Sequence, residues 1–162
     1  AQIFGGKQEQ GLRPGTQNLP AIIGLAKALE IGQKTKEEEN NSLTKLRDHL
    51  IEGLLKKLPQ SQINGYYSPN DHQKRLANNI SITIPGINAD ELLLHLDHNG
   101  IYGSTGAACD SQEKAPSRAL KSLGLNDSLV SSTIRLTLGK SNNEEHINYA
   151  ALKTPEIALQ MR

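Results

Sequence analysis

Apolar and polar positions alternate with two different periods along the chain. Leu19, Ile22, Ile23, Ala26 and Leu29 recur at helical spacing. Leu43, Leu46, Leu50, Leu54 and Leu58 repeat the pattern, with Ile51 and Leu55 widening the stripe. The intervening "GQKTKEEENN" reads as the solvated face of the same helix. The spacing predicts one long helix over 19–58, with Gly32 as a place for a kink and Pro59 as its stop. Thr16 or Asn18 can cap its start, and Pro20 is tolerated in its first turn.

Further on the period drops to two. Ile80, Ile82 and Ile84 alternate strictly before Pro85-Gly86, and Ile134, Leu136 and Leu138 alternate in "SSTIRLTLG". Both read as half-buried strands. "INGYYSP" reads as a short strand or turn, and "IYGSTGAACDSQEK" as a short strand entering a loop. "NADELLLHLDHNG" reads as a helix starting near Asn88 or Ala89, with Gly100 past its end. "APSRALKSLGL" reads as a short helix with Pro116 in its first turn, and residues 142–162 as a final helix interrupted or kinked at Pro155. Residues 1–18 carry Gly5-Gly6, Gly11 and Pro14-Gly15, which break both periods and predict an extended arm. The expected fold class is α+β: a small antiparallel or mixed sheet with helices on one face, preceded by the arm and the long helix. The expected division is an arm over 1–18, a connecting helix over 19–58 and a small α+β domain over 59–162.

Composition changes this picture little. The 162 residues hold one Phe, four Tyr and no Trp, so the core rests on Leu, Ile and Ala. A net charge of +1 gives no strong pull towards nucleic acid or anionic membrane. There is no apolar run near the roughly 20 residues a membrane span needs, and "AQIFGGKQEQ" does not read as a signal peptide. The single cysteine makes no internal disulfide, which fits a reducing compartment. A start at Ala1 in a Gly-rich stretch leads to the expectation that the chain is a piece of a longer polypeptide.

Four places can carry chemistry. Cys109 sits in "GSTGAACDSQ" among small residues. A free cysteine is ordinarily a buried hydrophobe, but this run offers no large side chain to anchor it in a core. A buried filler and an accessible thiol both remain open. Arg135 interrupts an apolar strand and faces away from Ile134, Leu136 and Leu138 by period two. It is either a solvent-facing cation or a fork for a carboxylate. Thr16, in "LRPGTQN", either caps the next helix or, with free N–H groups at the helix start, meets a phosphate. His95 and His98 are three apart on one helix; a surface pair outweighs a metal pair, because no recognised zinc spacing results.

Taken together, "GLRPGTQNLPAIIGLAKAL", "LDHNGIYGSTGAACDS", "APSRALKSLG" and "STIRLTLG" occur in an order and spacing that resembles the cysteine desulfurases, pyridoxal-phosphate (PLP) enzymes of the class V aminotransferase group. The resemblance covers nearly the whole chain and corresponds to the C-terminal part of such an enzyme, within PLP fold type I. It implies a reaction in which PLP serves as electron sink and a loop thiolate takes the sulfur of L-cysteine. The products are L-alanine and an enzyme-bound persulfide, which passes sulfur to iron–sulfur scaffold proteins, thiolation factors or similar acceptors. By the same resemblance, Cys109 matches the persulfide cysteine and Arg135 the arginine that holds the substrate carboxylate. Thr16 matches the threonine that reaches the PLP phosphate of the neighbouring subunit in a homodimer. The resemblance implies a cytoplasmic location, or an organellar one after processing, and no metal.

The chain departs from the family in three places. Asp110-Ser111-Gln112 replaces the usual Ser-Ser-Gly after the cysteine, Arg118 stands where a His is common, and no His-Lys segment for the cofactor lysine occurs. The chain alone is therefore not expected to hold PLP through a lysine. The alternative reading is a non-catalytic fragment or binding module with the same small-domain fold that docks sulfur-acceptor proteins.

Overall fold

Asn18 decides where the long helix begins. Its side-chain oxygen accepts the N–H of Ala21 at 3.1 Å, and its carbonyl accepts the N–H of Ile22 at 3.0 Å. Helix α1 then runs over Leu19–Lys57, through Gly32 without interruption. The computed structural model describes residues 3–71, 73–106 and 117–161, and the chain divides into two compact units, Ala1–Glu37 and Glu38–Arg162.

In the first unit, the region expected as an extended arm contains a 3-10 turn over Gln8–Gly11. Gln8 and Arg13 fold the Pro14-Gly15 turn back on itself. The Gly15 N–H donates to Gln8 Oε1 at 3.1 Å, and Arg13 Nη1 donates to the Gly15 carbonyl at 3.0 Å. The solvated face of α1 carries Lys27 and Lys34, both paired with Glu30 at 2.9 and 2.7 Å. The hydrogen bond from Lys34, and then that from Lys27, hold the Glu30 carboxyl below its ordinary pKa.

The second unit holds the sheet. Its strands are β1 (Gln62–Ile63), β2 (Asn79–Thr83), β3 (Ser104–Thr105) and β4 (Thr133–Thr137), in the order β1-β2-β4-β3 with every neighbouring pair antiparallel. Its further helices are α2 (Ala89–His98), α3 (Arg118–Ser122), α4 (Asp127–Val130) and α5 (Glu144–Gln160). Ile80, Ile82, Ile134 and Leu136 form the apolar face, joined in one core by Leu50, Ile51 and Leu54 of α1, Leu92 and Leu96 of α2, and Ile147 and Ala158 of α5. Burying each of these Leu and Ile side chains contributes about 1.5–3 kcal/mol. The expected α+β class, a small sheet with helices on its apolar face, is what forms.

Local details refine the reading. Asn88 caps α2 by accepting from Asp90 and Glu91, and Ser117 caps α3, which begins at Arg118. Pro116 lies outside the described residues. Helix α4 has no counterpart in the periodicity, because it is only four residues long. An interruption or a kink is expected at Pro155; helix α5 runs through it uninterrupted. Proline removes one backbone bond, but Ala151, Thr154, Pro155 and Ala158 are all buried there, and that packing keeps the turn in place.

One polar cluster lies inside this unit. Arg47 is fully buried on the apolar stripe of α1. Its guanidinium pairs with Asp48 at 2.7 Å and donates to the carbonyls of Asp71 and Leu76. The other Asp48 oxygen accepts the Asn70 N–H at 2.6 Å. Arg75 donates onward to the carbonyls of Asn64, Tyr66 and Asn79. Burial, and next the charge of Asp48, raise the pKa of the neighbouring Tyr67. Two adjacent residues of α1 thus hold the connection between β1 and β2.

Candidate functional site

The second face of the sheet is polar. Register decides its composition, because directly opposed residues share a face and alternate with those pointing the other way. Thr83 opposes Thr133, Ser81 opposes Arg135, and Ser104 opposes the same Arg135 from the other side. The face therefore carries Ser81, Arg135 and Ser104 side by side on three strands. Asn64 extends the row: its backbone N–H donates to the Ser81 carbonyl, and its carboxamide bridges Ser81 Oγ at 3.1 Å and Thr83 Oγ1 at 3.0 Å. The Thr83 and Thr133 hydroxyls are 2.7 Å apart, and Thr133 donates to the Leu129 carbonyl. Buried hydroxyls joined in this way make a fixed polar floor.

Arg135 stands out within that row. It is half-buried, yet its guanidinium makes no hydrogen bond or ion pair with any described residue. The residues opposing it on both sides are serines. A partly desolvated guanidinium without a counter-charge suits a bound carboxylate, because its planar donors match two carboxylate oxygens.

The other expected positions fall elsewhere. Thr16 is exposed in the first unit, and Asn18 rather than Thr16 takes the capping role, so the Thr16 hydroxyl is not consumed by the helix. Cys109 lies outside the described residues, as do Asp110 and Lys114. His95 and His98 are both exposed on α2, and no group of three His, Cys, Asp or Glu among the described residues is placed to hold a metal. The residue-level reading passed over Asn64, Ser81 and Ser104. Ser81 alternates with Ile80 and Ile82 and Asn64 follows Ile63, whereas Ser104 lies between Gly103 and Thr105 with no such signal, so it takes the strand register to align them.

A PLP site can be tested against the lysines. A lysine that condenses with a carbonyl is activated by desolvation or by a neighbouring cation. Every described lysine is exposed except the half-buried Lys153, which pairs with Glu156 at 3.0 Å. The described residues do not by themselves fit the whole cofactor.

The family and the fold have known counterparts. Residues 5–149 match the family model of aminotransferase class-V. A cysteine desulfurase IscS of Clostridium botulinum is 43% identical over 160 residues, covering 99% of this chain and 40% of that protein. A cysteine desulfurase IscS of Methanosarcina thermophila is 42% identical over 160 residues, covering 99% of this chain and 38% of that protein. Among solved structures, a NifS-like protein superposes with a TM-score of 0.73 at 34% identity, covering 96% of this chain and 37% of the other. A NifS-like protein of Rickettsia africae gives a TM-score of 0.75 at 30% identity, covering 96% and 39%. The antiparallel sheet with its helices is thus the fold seen in part of the NifS-like proteins. The chain belongs to the aminotransferase class-V family. It spans about two fifths of the length of the curated relatives it matches.

Proposed function

We propose that the chain is the C-terminal part of a PLP-dependent cysteine desulfurase. The observation that carries this reading is Arg135, a half-buried guanidinium with no partner among the described residues, on the polar face of a class-V fold. The similarity to proteins named cysteine desulfurase supports the same substrate, L-cysteine. In this reading Arg135 holds the substrate carboxylate and Cys109 receives the sulfur. The substrate's carbon–sulfur bond breaks and a sulfur–sulfur bond forms, so L-cysteine and the Cys109 thiol become L-alanine and a Cys109 persulfide. The persulfide then passes its sulfur to an iron–sulfur scaffold or thiolation protein. PLP supplies the electron sink when bound, held mainly by residues beyond those described; Thr16 contributes a phosphate contact across a homodimer. The arm over 1–18 belongs to the large domain or the dimer interface, the helix over 19–58 connects, and 59–162 forms the small domain of a cytoplasmic or organellar enzyme.

The test is alanine formation and persulfide mass spectrometry on the complete enzyme. Cys109→Ala abolishes the persulfide. Arg135→Ala removes a charge-assisted contact of about 1.5–3 kcal/mol, so kcat/KM for L-cysteine falls roughly 10- to 100-fold. A persulfide that persists in Cys109→Ala overturns the sulfur-carrier role. A complete protein that makes no alanine supports the binding-module reading instead.

A further inference from the structure

We infer that Ser104 is a substrate-positioning residue whose hydroxyl shares the substrate carboxylate with Arg135; the inference rests on the carboxylate-binding role proposed for Arg135. Strand β3 is only two residues long, and Ser104 is the one that opposes Arg135. Opposed residues of an antiparallel pair have Cβ atoms roughly 4.5–5.5 Å apart on the same face. An independent observation fixes that face. A Cβ on Gly103 would lie 2.9 Å from Leu93 Cδ2, 3.0 Å from Leu136 Cδ2 and 3.2 Å from the Arg135 carbonyl. Position 103 therefore looks into the apolar side, and position 104 looks out onto the polar side with the guanidinium. The same crowding shows that a side chain at 103 would have to displace the ends of Leu93 and Leu136 and press on the Arg135 carbonyl.

The two serines beside Arg135 are not equivalent. Ser81 Oγ is engaged by the Asn64 carboxamide at 3.1 Å. Ser104 Oγ makes no hydrogen bond with any described residue, although the residue is half-buried. Arginine has no acceptor atom, so the Ser104 proton cannot be satisfied by Arg135. Register puts both donors on one face of the sheet, and a carboxylate is a ligand that can accept from both. Threonine at 104 keeps the donor, whereas alanine deletes it.

The complete enzyme tests this with L-cysteine and with cysteamine, which lacks the carboxylate. Ser104→Ala should raise KM for L-cysteine about three- to ten-fold, a change typical of one lost hydrogen bond, with kcat within about two-fold and cysteamine turnover unaltered. Ser104→Thr should restore KM to near its original value. In an Arg135→Ala background, adding Ser104→Ala should change KM less than about two-fold, because the shared ligand is already lost. If Arg135→Ala raises KM and Ser104→Ala does not, the role of Ser104 is overturned while that of Arg135 stands. If Arg135→Ala leaves KM unchanged, the carboxylate reading itself fails. Equal losses in Ser104→Ala and Ser104→Thr, or a loss shared by cysteamine, indicate a general effect on the strand and overturn the inference.

Discussion

The two halves of α1 carry the same apolar period and meet opposite environments. In the first half, Leu19, Ile22, Ile23, Leu25, Leu29 and Ile31 are each more than half exposed. In the second half, Leu50, Ile51 and Leu54 are buried against the sheet and α5. The glycines repeat the contrast. Nothing lies within 4 Å of a Cβ built on Gly24 or Gly32, whereas one on Gly53 meets Ala151 Cβ at 2.7 Å. Periodicity specifies that a face is apolar. It does not specify what stands opposite, and burial energy comes only from the latter.

Substitutions along α1 can break that comparison. The largest effect is expected at Arg47. Arg47→Met should destabilise the chain by about 3–5 kcal/mol, because Asp48 is left buried without its cation; urea unfolding measures it, and a loss near zero would mean the cluster contributes nothing. Leu54→Ala should cost about 2–5 kcal/mol through the cavity it leaves, while Ile23→Ala should stay within about 0.5 kcal/mol. Equal losses at the two sites would erase the distinction between the halves. The same chemical change should have opposite signs at the two kinds of glycine. Gly32→Ala should stabilise by about 0.5–1 kcal/mol through helix propensity, whereas overpacking against Ala151 at about 1–3 kcal/mol should make Gly53→Ala destabilising.

The smallest expected effect is a pH dependence in the connection held by Arg47. The Gln73 backbone N–H, at 2.8 Å, is the largest cause of the lowered Asp71 carboxyl pKa, and the Tyr66 hydroxyl adds to it. Its folded pKa lies below its unfolded one, so its contribution is present above the ordinary carboxylate value of about 3.9 and fades as the pH falls through the lower folded value. Asp71→Asn should reduce that acid dependence, read from thermal melts between neutral and acid pH. An unchanged acid limb would show that other carboxylates set it.

Much of the fold was legible in the sequence. The long helix, the two isoleucine-rich strands, α2 and α5 all follow from periods of 3.6 and two. The interruption expected as one alternative at Pro155 does not occur, for a local reason: the packed face around Ala151 and Ala158 outweighs one lost hydrogen bond. The buried Arg47 was also within reach, since it falls four residues after Leu43 and three before Leu50 on the apolar stripe. A charge in such a position needs a buried partner, and the adjacent Asp48 supplies it.

The candidate site divides differently. By itself the sequence determined that Arg135 interrupts an apolar alternation, that Cys109 is the sole thiol, and that the motifs resemble a desulfurase, because these are properties of residue type and order. Only the tertiary structure decided that Asn64, Ser81 and Ser104 join Arg135 in one row. Ser81, Arg135 and Ser104 come from separate strands and Asn64 directly follows another, and backbone hydrogen bonding between strands sets a register that no local period records. Strand pairing also decided that the guanidinium is half-buried and unmatched among the described residues, since its surroundings are made by segments distant along the chain.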